Sequence, residues 1–94
     1  MTEITIDDNN FVSVLVTKDH ENKDKIVVDF ILADDTTVTV GFPLVDIYRT
    51  LNDFPLSDVN KKMLMVMNVG DTQLNIRGSI FLNALVEAKE KAES

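Results

Sequence analysis

Phe11-Val12-Ser13-Val14-Leu15-Val16-Thr17-Lys18, then Lys25-Ile26-Val27-Val28-Asp29-Phe30-Ile31-Leu32-Ala33, then Thr36-Thr37-Val38-Thr39-Val40-Gly41-Phe42 are three runs rich in β-branched residues. Such composition, with alternation at every second position, predicts strands. The polar loop Asp19 to Asp24 joins the first two, and a tight turn at Ala33-Asp34-Asp35 joins the next two. Both gaps suit antiparallel hairpins, whereas parallel pairing needs a crossover of a dozen residues or more. The reading is a three-stranded antiparallel meander, with Glu3 to Ile6 as the candidate fourth, edge strand.

Alternation sorts the side chains into two sets. Val12, Val14, Val16, Ile26, Val28, Phe30, Leu32, Val38 and Val40 are apolar throughout and are assigned to a helix-covered core. The opposite set mixes Phe11, Leu15, Val27 and Ile31 with Ser13, Asp29, Thr17, Thr37 and Thr39. Large apolar groups gathered on a face that ought to be solvated mark an association surface, so Phe11, Leu15, Val27, Asp29 and Ile31 are the candidate partner-binding residues.

Beyond the meander the period changes. Leu44, Ile47, Tyr48 and Leu51 recur at helical spacing after Pro43, a residue suited to a first helical turn, and Phe54-Pro55 ends the run. A second helix is read from the cap Ser57 through Asn68, with Val59, Met63, Val66 and Met67 inward and Gly70 as the stop. Met63, Met65, Met67 and Val69 also alternate, so a strand from Met63 to Asn68 paired with Gln73 to Arg77 is the competing reading. Gly78-Ser79 opens a last helix with an apolar stripe of Phe81, Leu82, Leu85, Val86, Ala88 and Ala92. The fold class is α+β: an antiparallel three- to four-stranded meander followed by two or three helices packed on one face. At 94 residues it forms a single small globular domain, residues 1–94.

Charge is distributed unevenly. Up to Asp58 there are 12 acidic residues against 4 basic ones, and from Val59 onward 4 against 5, within a net charge of −7. In a meander the approach to the first strand and the turn between the second and third lie at the same end. Asp7, Asp8, Asp34 and Asp35 are therefore expected to form one acidic pole, while Asp19, Glu21 and Asp24 meet Lys18, Lys23 and Lys25 at the other. Such a charge balance repels phosphate backbones, so direct nucleic-acid binding is not expected.

The residues that chemistry requires are sparse. The chain has no Cys, which excludes disulfides and thiolate metal sites. The one His, His20, sits in a polar loop with no nucleophile held beside it. Counting an EF-hand loop from Asp19 places Asp24 and Phe30 where Gly and Glu are required. Gly41 precedes a helix without the Lys or Ser of a phosphate loop. No catalytic residue, metal ligand or cofactor is assigned. The start Met1-Thr2-Glu3-Ile4 lacks signal-peptide features, and the longest apolar run, Met63 to Met67, is too short to cross a bilayer. A soluble, cytoplasmic protein is expected, with no membrane partner.

The functional expectation is a non-enzymatic acidic interaction or regulatory module. It binds another protein, including one with a basic surface, or a second copy as a homodimer, through the mixed sheet face. One alternative is an acidic inhibitor that mimics a polyanion in the basic cleft of a nucleic-acid-processing enzyme. The other is an enzyme of unrecognised type.

Overall fold

The computed structural model describes residues 2–94 and has the α+β architecture. Its strands are β1 (Thr2–Ile6), β2 (Phe11–Lys18), β3 (Lys25–Leu32), β4 (Thr37–Pro43), β5 (Leu64–Val69) and β6 (Thr72–Arg77). The helices are α1 (Leu44–Asp53), α2 (Asp58–Lys62) and α3 (Gly78–Glu93). The meander stands as read: β2, β3 and β4 form an antiparallel sheet in that order.

Strand β1 does not extend the meander. It pairs in parallel with β6 in a second three-stranded sheet of order β1-β6-β5, with Ile4 opposite Leu74 and Ile6 opposite Ile76. The turn after Ile6 redirects the chain: the N–H groups of Asn10 and Phe11 both donate to the Asp7 carbonyl. Parallel pairing is possible because the rest of the fold serves as the crossover. The join aligns the alternating apolar residues Ile4 and Ile6 with Leu74 and Ile76 on the buried side of the sheet.

The helix read from Ser57 to Asn68 is also corrected. Ser57 does cap a helix, its Oγ accepting the Asn60 N–H at 3.2 Å, but that helix ends at Lys62. From Leu64 the alternation of the competing reading prevails, and β5 pairs antiparallel with β6 in unbroken register. Gly70, at φ +60°, opens the two-residue turn between them. A residue there without a Cβ fits a hairpin whose first central position needs positive φ. Met65 and Met67 face the core, whereas Leu64 and Val66 are exposed.

Helix α3 is the hub. It packs against both sheets and both other helices, and this is why Ile80 and Ala84, which the stripe omits, are buried along with Phe81, Leu82, Leu85 and Ala88. Ile47 of α1 is fully buried, Leu44 and Leu51 pack beside it, and Phe42 meets Phe81 edge to face at 6.0 Å. No helix is long and apolar enough to cross a membrane among the described residues.

Candidate interaction surfaces

The face of the meander turned away from α3 carries most of the expected constellation, with one exchange. Leu15 opposes Asp29 and Thr17 opposes Val27, while Asp29, Val27 and Ile31 oppose Thr39, Gly41 and Thr37 on the other side. Leu15 is 56% exposed, and Val27, Asp29 and Ile31 are half-buried by their neighbours on the sheet. Asp29 accepts a hydrogen bond from the Thr39 hydroxyl at 2.6 Å, which holds its carboxylate in place, and Lys25, at the start of β3, lays its side chain over Gly41 on the same face.

Phe11 is not part of that face, and Val12 is not part of the core. The register shifts between Phe11 and Ser13, so that Phe11 opposes the buried Leu32 while Ser13 opposes Ile31. Val12 is the extra residue of this bulge. A bulge shifts strand alternation by one, which sends Phe11 to the core side and leaves Val12 59% exposed. Uniform alternation carried through residue 12 gave the opposite assignment for both.

The two turns that carry Asp7, Asp8, Asp34 and Asp35 lie side by side. The Ala33 N–H donates to the Asn10 carbonyl at 2.8 Å, which brings the turn bearing Asp7 and Asp8 against the turn bearing Asp34 and Asp35. Three of these acids also shape the backbone. Asp7 Oδ1 accepts the Asn9 N–H, Asp34 Oδ1 accepts the Thr36 N–H, and Asp35 occupies the left-handed region at φ 68°, which Asp tolerates better than most residues. The Asp34 carboxyl is held below its ordinary value, first by the Thr36 hydroxyl and then by the Thr36 N–H.

At the other end, Asp19 accepts the N–H groups of Glu21 and Asn22, and Asn22 accepts that of Asp24. The Glu21 N–H is the main cause of the lowered Asp19 pKa. The Asp19 carboxylate is thus engaged with the backbone, and His20 is exposed in the same loop. Among the described residues there is no group of three or more His, Cys, Asp or Glu side chains placed to hold a metal ion.

Sequence reasoning missed the outward face of the second sheet. Asn75, at the centre of β6, is 5% exposed; its Nδ2 donates to Glu3 Oε1 at 2.9 Å and its Oδ1 accepts from Gln73 Nε2 at 3.0 Å. This polar chain is spread over two strands that are far apart in sequence and carries no local signature. No family model matches the chain, and no similar curated protein or solved structure was found.

Proposed function

We propose that this domain is a non-catalytic interaction module that binds another protein through the open face of the β2-β3-β4 sheet. The observation that carries the reading is the grouping of Leu15, Val27 and Ile31 around Asp29 on a face that α3 does not cover. Apolar side chains contiguous on an otherwise polar sheet mark contact surfaces. Asp29 gives the partner its chemistry. Asp29 stands amid the apolar groups while Lys25 lies at the end of the face, so the complementary surface is apolar with a basic group opposite Asp29, and the acidic pole at the end of the sheet steers it in.

A non-catalytic role is supported by how the acids are used. The two carboxyls with lowered pKa are explained by turn hydrogen bonds, whereas a catalytic group is recognised by a shifted pKa within a cleft. Polyanion mimicry fits less well, because the acids gather at turns instead of repeating along an axis as the charges of a duplex do.

The test is capture from native lysate by the parent and by a variant carrying Leu15→Lys and Ile31→Lys, at low and high salt. Both substitutions lie on the outer face, so the circular dichroism of the variant should match the parent's. A specific protein retained by the parent and lost from the variant supports the reading. Equal capture by both chains ends it. Retention that survives high salt identifies the apolar contact as the main source of affinity, since exposed charge pairs are screened.

A further inference from the structure

Among the described residues four strands have a free edge: β1 and β5 in one sheet, β2 and β4 in the other. Unpaired edges template association, and proteins blunt them with charge, proline or bulges. β1 carries Glu3 and runs into Asp7-Asp8, β2 is broken by the bulge at Val12, and β4 starts beyond Asp34-Asp35 and ends at Pro43. Strand β5, Leu64-Met65-Val66-Met67-Asn68-Val69, has no charge, no proline and no register break.

Backbone alternation identifies the groups it presents. Val69 and Thr72 flank a two-residue turn and so exchange hydrogen bonds, which assigns Val69, Met67 and Met65 to the β6 ladder. The Gly78 N–H, donating to the Met63 carbonyl at 2.7 Å, continues the same alternation. Leu64, Val66 and Asn68 therefore direct their N–H and C=O groups to the open edge. Leu64 is 55% and Val66 58% exposed, and both project from the outward face of the sheet.

We propose that two copies of this chain pair antiparallel through β5 about a two-fold axis at Val66, making one continuous six-stranded sheet. In this register each Val66 lies opposite its own copy, and Leu64 lies opposite Asn68 of the second copy. Every backbone group presented at the edge gains a partner, and the Leu64 and Val66 side chains of both copies meet on one face. The ends are self-complementary as well. Residues 59–70 contain no acid but include Lys61 and Lys62 at the end of α2, just before the strand, while Asp71 follows its end. Antiparallel pairing brings these lysines level with the Gly70-Asp71 turn of the second copy. In a chain of net charge −7 this stretch lets two copies approach without acid facing acid.

Sedimentation of the parent over a wide concentration range should show a mass rising from 10.5 kDa to twice that value. The amides of Leu64, Val66 and Asn68 should exchange more slowly as the dimer forms. Val66→Pro removes an edge-facing N–H that the β6 ladder does not use, a position where strands tolerate proline, and should remain monomeric with parental circular dichroism. Val66→Lys keeps the backbone donor and places two cations together on the axis; it should also be monomeric, which covers a failure of the proline variant to fold. The Leu15→Lys, Ile31→Lys chain should dimerise like the parent. The proposal is overturned by a parent that stays monomeric at the highest concentration, by a dimer that persists in a folded Val66 variant, or by a dimer lost with the Leu15 and Ile31 substitutions. A parent that stays monomeric and instead protects those three amides on binding an extended peptide also overturns it.

Discussion

Single residues settle local geometry here through hydrogen bonds too short in range to be seen as function. Asp34 shows this. Its carboxylate accepts from Thr36 and closes the β3-β4 turn, and the following Asp35 takes the left-handed conformation. Because these hydrogen bonds hold its folded pKa below the ordinary 3.8, the unfolded chain binds the proton more readily. The associated stability is present above the unfolded value and is lost as pH falls through the folded one. Asp34→Asn keeps a side-chain oxygen for the Thr36 N–H and removes the titration. Urea midpoints measured from about pH 7 to about pH 2 should be near the parent's at neutral pH and fall less steeply below about pH 4. An unchanged acid limb would remove Asp34 from the acid response. Such a role was legible in the sequence only as far as Asp-Asp marks a turn. The switch of Phe11 and Val12 was not legible, since nothing in a run of β-branched residues shows where the pleat slips.

Elements with strong internal periodicity, α1, α3 and the three meander strands, were readable because burial on one face imposes the period directly. Segment 57–68 was not, because two signals share it: a true cap at Ser57 and a true alternation from Met63 onward. Pairing with β6, a tertiary fact, decides between them. The same junction ties the helices together. Arg77 Nε donates to the Lys61 carbonyl at 3.3 Å, and Gly78 lies so close to α2 that a Cβ would fall onto the Asn60 carbonyl oxygen. Two effects of Gly78→Ala oppose each other. Alanine favours a helix by at most about 1 kcal/mol, whereas forcing a methyl into packed backbone costs about 1–3 kcal/mol. Packing should win, and the variant should lose about 1–2 kcal/mol, seen as a fall in Tm of roughly 5–15 °C. A variant as stable as the parent would mean that α2 yields freely. The parallel join of β1 to β6 belongs to the same class of unreadable features, because its two strands lie at opposite ends of the described chain.

For the whole molecule the decisive quantity is the uneven charge. Self-repulsion within an acidic chain opposes compaction, and the only ion pair among the described residues is the exposed Arg49–Asp46 contact at 3.5 Å. The acidic pole is where topology concentrates that repulsion, yet Asp7, Asp34 and Asp35 cannot be reversed without disturbing turns. Asp8 can, because it is exposed and takes part in none of the turn hydrogen bonds made by its neighbours. If the pole only strains the fold, Asp8→Lys should raise Tm by about 2 °C at low ionic strength, the scale of a surface substitution in a domain of this size. The gain should fade as added salt shortens the screening length to below about 10 Å. If the pole also steers a basic partner to the Leu15, Val27 and Ile31 face, the same substitution should slow association at low salt while leaving dissociation nearly unchanged, because charges at the rim act on encounter more than on the docked contact. Thermal melts and association rates on one variant thus separate the two uses of the pole. A higher Tm with an unchanged association rate assigns these acids to the fold alone. A slower association assigns the pole to recognition, and the charge asymmetry of the chain then has a physical purpose beyond keeping copies apart.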